Sequence, residues 1–397
     1  MRIVAVESDL RRILGVQATR AFAYGFATVV LGTSLATAGL SDAEVGFVFS
    51  AMLAGMAVSS LLVGAVGDRI GRRRTYTVLL LAMAVTGTVF ASTSVLWLLA
   101  LASLTGTMST DANESGPITS LEQAMIGQAP AGVRVHVFGR YNAIAYLAGA
   151  LGALAAGGPA FVGSGLAPSD RRWLMVVPVA ALVALVMARG LGPDVEHGEQ
   201  APARPLQRSR GSVTKLASLF ALDAFAGGLV VTTFVVFWLV RRFGVGPEAI
   251  SVVLFVGGLL QAGSSIVAAR LGARFGLLAT MVGTHLPSNV LLIAVPLMPN
   301  FPLAVTVLLI RFALSQMDVP TRQAYIAQMV DPRERTAAAA FTNTARYVAR
   351  PFGPAVGAVL MTAAGLGAPF IAAGLLKSVY DLILWRTFRS LRVPGER

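Results

Sequence analysis

Long apolar runs, broken by short polar connections, set the rhythm of this chain. Six can be drawn at about 13–38, 44–66, 75–92, 95–122, 139–163 and 172–190. Six more follow at about 215–240, 248–268, 276–297, 302–328, 337–364 and 368–386. A helix needs roughly 20 apolar residues to cross a bilayer core, and only helices or closed barrels satisfy their backbone there. The runs therefore predict twelve transmembrane helices. The third run is short and the fourth contains polar residues. Between the sixth and seventh, residues 191–214 are rich in Gly, Pro and charge and lack periodicity. The expected domains are an N-terminal six-helix bundle over 1–190, a cytoplasmic linker over 191–214 and a C-terminal six-helix bundle over 215–397.

Composition agrees with this pattern. The chain is 55% hydrophobic and only 13% charged, against about 25% charged in soluble domains. A net charge of +13 could suggest a nucleic-acid partner, but the basic residues lie in short clusters between apolar runs and form no continuous face. With no cysteine, disulfides and thiolate metal sites are excluded, and no cofactor is expected. The opening MRIVAVESDLRR leads straight into a full-length span and is not expected to be a cleaved signal.

Orientation follows from arginine and lysine. With a cytoplasmic N-terminus, 22 of the 32 basic residues fall on inside segments, among them Arg69, Arg72, Arg73 and Arg74. Only Arg171, Arg172, Arg241 and Arg242 fall outside. The rest, Arg20, Arg311, Arg322, Arg346, Arg350 and Lys377, lie within spans. Trp97, Trp173, Trp238 and Trp385 each stand near a predicted span end, as interfacial rings do.

The two halves repeat. GDRIGRRRT at 67–75 aligns with GARFGLLAT at 272–280, each between the second and third spans of its half. LEQAMIGQ at 121–128 aligns with TRQAYIAQ at 321–328. Gly64, Gly67, Asp68, Arg69, Gly71, Arg72, Arg73 and Arg74 resemble the signature loop of the major facilitator superfamily. The resemblance implies an all-α integral membrane fold of two pseudo-symmetric six-helix bundles. It also implies that Asp68 latches to the start of the eleventh helix, near Thr336, and that Glu122 pairs with Arg69 or Arg72. Gly67 and Gly71 suit a tight turn between helices. A loop that only obeys the positive-inside bias is the competing reading, and it leaves Asp68 and the glycines unexplained.

A charge inside a span faces a cavity or a partner. Asp111 and Glu114 are three residues apart, so a continuous helix would put both on one face; they are candidate proton carriers or binding groups. The alternative is that the span ends near Thr107 and both are solvated. Asp223, Asp318, Arg322, Arg346 and Arg350 are further candidates in the second half, and Arg20 and Arg311 are possible anion-binding groups. Asp318 and Arg322 have ion-pair spacing, which is equally structural or functional. His285 can titrate near neutrality, but the plainer reading is a packed histidine. Gly149, Ala153 and Gly157 form a small-residue face for close helix contact.

These features suggest a secondary transporter of a small solute that works by alternating access. Proton coupling is expected from the intramembrane carboxylates, and efflux from the resemblance; uptake of an anionic metabolite with protons is the alternative. The antiporter pattern of the family's fifth span is missing here, which counts against antiport. No H-E-x-x-H, G-x-S-x-G or phosphate-loop sequence occurs, so no enzyme is expected. The partners foreseen are a small solute, protons and lipid, with the monomer as working unit.

Overall fold

A backbone with no water to bond must satisfy its own N–H and C=O groups, and helices do so. The computed structural model meets this demand with α-helices and short 3-10 turns. It describes residues 2–109, 111, 116–126, 131–162, 165–196, 206–207, 209–330 and 334–389, among which no strand occurs. In the first half the helices are α1 (Arg2–Thr37), α2 (Asp42–Ile70), α3 (Arg72–Ser92), α4 (Leu96–Ser103), α5 (Pro117–Ile126), α6 (Ala131–Ala155) and α7 (Val176–Arg189). The second half continues with α8 (Arg210–Leu229), α9 (Thr232–Phe243), α10 (Pro247–Phe275), α11 (Leu277–Ala294) and α12 (Phe301–Ser315). It ends with α13 (Asp318–Met329), α14 (Arg335–Ala349), α15 (Phe352–Ala364) and α16 (Ala368–Phe388).

Ten helical spans among the described residues are long and apolar enough to cross a membrane. The fourth and eleventh complete the twelve, each as two helices. Between α4 and α5 the chain turns at Gly106, whose φ of 68° suits glycine. Between α14 and α15 it breaks at Pro351, where the ring removes a backbone donor.

The chain divides into two compact units, Met1–Glu199 with Val231–Phe255, and Gln200–Val230 with Val256–Arg397. The seventh span is split between them, because its helix breaks at Val230 and Val231.

In the first unit α1 packs on α6 and α7. A Cβ at Gly152 would overlap the Phe22 carbonyl, and one at Gly25 the Gly149 carbonyl. The face of Gly149 and Ala153 thus receives α1 at backbone contact. Gly152→Val is expected to lower stability by about 1–3 kcal/mol or more, the usual overpacking cost, read as a lower unfolding temperature of the purified protein.

Gly71 joins α2 to α3 with φ of 99°, and Gly276 joins α10 to α11 with φ of 87°. These are equivalent places in the two sequence repeats. Gly67, expected to share the turn, instead lies inside α2, where its carbonyl accepts the Gly71 N–H at 3.1 Å. The turn needs one left-handed residue, and Gly71 supplies it.

Arg72, Arg73 and Arg74 occupy the first turn of α3, the positive end of its dipole, where cations are unfavourable. The Glu196 carboxylate compensates by accepting the Arg72 N–H at 2.6 Å and the Arg73 N–H at 3.2 Å. Glu196→Ala is expected to cost about 1 kcal/mol, as loss of an N-cap does; a thermal melt in micelles would read it.

The second unit centres on Val213, Phe220, Met281, Tyr325, Tyr380 and Phe388, all buried. Here α8 packs on α14 and α16, and α11 on α16. Glu334, just before α14, accepts the N–H groups of Gln207 and Ser209, each at 3.0 Å.

Candidate functional site

Each unit holds a buried ionic network. In the first, Arg20 of α1 reaches Glu122 of α5 at 2.6 Å, their side chains 3% and 0% exposed. Tyr76 of α3 donates to the other carboxylate oxygen at 2.6 Å, and Tyr141 of α6 donates to the one that Arg20 holds. Arg20 also donates to Gln17 and, at 3.0 Å, to Thr119, and its guanidinium stands 5.5 Å from the centre of the Tyr24 ring. Four helices therefore converge on one carboxylate, which accepts three hydrogen bonds from them.

This corrects the pairing expected for Glu122. Its cation is Arg20, not Arg69 or Arg72. Arg69 is exposed. Arg72 is buried, but its side chain reaches the carbonyls of Ala124 and Val195, each at 3.4 Å. Arg20, one of the possible anion-binding groups, is enclosed by this pairing. The Asp68 side chain lies outside the described residues.

The helix expected to carry Asp111 does not continue to it. Residues 104–109 leave the helix through turns and bends, and Ser109 bonds locally, its hydroxyl reaching the Asp111 carbonyl at 2.6 Å. Such side-chain bonds compete with helix formation. Asp111 instead accepts the N–H of Thr232 at 2.8 Å, at the first turn of α9, where the dipole favours an anion. Glu114 lies outside the described residues.

The second unit gathers more charge. Asp223 of α8 meets Lys377 of α16 at 2.6 Å, Arg346 of α14 at 3.0 Å and Arg322 of α13 at 3.7 Å. Arg322 also pairs with Asp318 one turn away at 2.8 Å. The intrahelical pair foreseen from spacing is thus present, as one edge of a larger cluster. Behind Asp223, His285 of α11 places Nε2 4.0 Å from it and Nδ1 3.0 Å from Asp381 of α16. Asn289 donates to Asp381 at 2.8 Å.

Three carboxylates, Asp223, Asp318 and Asp381, thus stand with three fixed cations, Arg322, Arg346 and Lys377. The cluster balances when His285 is neutral. Of the other arginines proposed from sequence, Arg311 lies on α12 with its guanidinium 5.8 Å from the centre of the Phe312 ring, and Arg350 caps α14.

Sequence reasoning passed over Lys377, Asp381 and Asn289 as site residues. A signal was there: Lys377 and Asp381 are opposite charges one turn apart inside an apolar span, the spacing that drew attention to Asp318 and Arg322.

Apolar spans enclosing balanced ion clusters define a polytopic membrane carrier. A model of the Major Facilitator Superfamily matches residues 13–216 and again 216–397. The chain belongs to that superfamily, and is a transporter rather than an enzyme. An uncharacterized membrane protein of Saccharomyces cerevisiae is 26% identical over 407 residues, covering 92% of this chain and 90% of its own. Among solved structures, a bacterial homologue of the human lysosomal transporter Spinster, in an inward-facing and occupied conformation, superposes with a TM-score of 0.75 at 15% identity, covering 98% of each chain. The nucleoside transporter NupG gives 0.73 at 14% identity, covering 96% of this chain and 98% of its own. At such identities the likeness concerns the fold.

Proposed function

We propose that the chain is a proton-coupled secondary transporter of a small anionic solute, with the Asp223 cluster as its binding site and alternating access as its mechanism. One observation carries this reading. The cations of the cluster are its accessible part, Arg346 at 26% and Lys377 at 12% side-chain exposure, while Asp223 at 5% is enclosed. A solute arriving there meets positive charge first. Ionisable groups at membrane depth generally mark solute and proton paths.

An anion held at Arg346 and Lys377 strengthens proton binding in the same cluster, and linkage makes the effect reciprocal. Joint binding supports movement of both in one direction, which is uptake under an inward proton gradient. Efflux against the proton flow, the direction expected from the resemblance, requires the two to compete. We place both termini in the cytoplasm, by the arginine bias, and take the monomer as the working unit.

The test uses proteoliposomes loaded with the pH dye pyranine and challenged with lactate, succinate and gluconate, with protein-free vesicles as control. Acidification of the lumen beyond the control by at least one anion is expected. Alkalinisation on solute entry would establish exchange instead. Silence toward every anion, with transport of a neutral or cationic solute, would overturn the anionic reading.

A further inference from the structure

Asp381 is fully buried, at 0% exposure. Its partners are His285, whose Nδ1 is 3.0 Å from both carboxylate oxygens, and Asn289. Among the described residues no lysine or arginine forms a salt bridge with it, although Lys377 lies one turn away on the same helix and turns to Asp223 instead. A buried carboxylate without a paired cation carries a penalty of several kcal/mol. A proton on the adjoining imidazole relieves it.

The geometry points to His285 as the site that binds the transported proton, held between Asp381 and Asp223. Nδ1 faces the Asp381 carboxylate and so carries hydrogen in the neutral ring, which leaves the Nε2 lone pair toward Asp223, 4.0 Å away. Two electron-rich atoms face each other across that gap. A proton added to Nε2 turns the contact into an attraction, and the imidazolium then lies between two carboxylates. No other bond forms or breaks.

The groups around the ring are accounted for element by element. From α8 comes Asp223, and from α16 come Asp381 and the edge of Tyr380, with ring centres 6.0 Å apart. Lys377 of α16, Arg346 of α14 and Arg322 of α13 act on the ring through Asp223, and Asp318 through Arg322. Arg311 is on α12, a helix that also packs on α11, with its guanidinium 5.8 Å from the centre of the Phe312 ring. The protonated ring competes with Lys377 and Arg346 for Asp223. Proton binding therefore loosens the two cations that meet the solute, which gives coupling a physical route.

This inference rests on the proposed coupled transport, and two measurements separate them. Protein labelled with 15N-histidine, in nanodiscs, is followed by NMR as the pH is lowered. The chain has three histidines, and the signal lost in His285→Gln is assigned to His285. It is expected to report the Nδ1–H tautomer in the neutral ring and to gain its second proton at Nε2. Asp381→Asn is expected to erase the tautomer preference. A signal that stays neutral throughout, or that Asp381→Asn leaves unmoved, overturns the proton site whatever the flux results. In the pyranine assay His285→Gln is expected to lose the proton movement that accompanies anion entry; unchanged proton movement would overturn the site. If wild-type protein moves anions without protons, coupled transport fails, and the NMR titration still decides whether His285 binds a proton.

Discussion

Asp223→Asn is expected to abolish coupled anion flux and to destabilise the protein by about 3–5 kcal/mol, the usual result of removing one partner from a buried ion pair. The amide keeps the shape of the carboxylate but leaves Lys377 and Arg346 without their shared anion, 2.6 and 3.0 Å away. Flux in proteoliposomes and a thermal melt in micelles separate the two consequences. Adding Lys377→Met to Asp223→Asn is expected to recover part of the stability, with a coupling of about 0.5–3 kcal/mol between these contacting residues, and none of the flux. A variant that melts normally and transports normally would remove Asp223 from the mechanism.

The second large effect belongs to the first unit. Glu122→Gln is expected to cost about 3–5 kcal/mol, because it leaves the enclosed Arg20 without its counter-charge. Replacing both residues together, as Arg20→Met with Glu122→Met, is expected to restore most of that loss, since apolar packing often substitutes for a buried ion pair at little cost. The double variant is expected to keep anion flux within about threefold of wild type, a change under about 1 kcal/mol. With both side chains nearly inaccessible, this pair is expected to position helices rather than to bind solute. A stable double variant without flux would move Arg20 into the binding site.

The spans were legible because a bilayer demands apolar length, and the pattern of runs records that demand. The loops between α2 and α3 and between α10 and α11 were legible because Gly71 and Gly276 each provide a conformation that other residues resist. The interruption of the fourth span was harder to read. Asp111 in an apolar run resembles a residue on a helical face, and only the left-handed turn at Gly106 and the local bonds of Ser109 take it to the start of α9. Sequence distance hid the ion pairs. Glu122 has Arg69 and Arg72 near it in the family pattern, yet it meets Arg20, 102 positions away in the chain. The Asp223 cluster was half visible as scattered intramembrane charge. That Lys377 and Asp381 of the last helix complete it depends on how α16 packs on α8 and α11, which no local pattern encodes.

The order of synthesis gives the cluster a further consequence. Asp223 emerges from the ribosome well before its cations, with Arg346 following 123 residues later and Lys377 154 residues later. An aspartate at the centre of an inserting helix costs about 2.5–3.5 kcal/mol on the translocon scale, so α8 enters lipid with a debt that later helices settle. A nascent chain cut short ahead of Arg322 holds an orphan carboxylate in the bilayer.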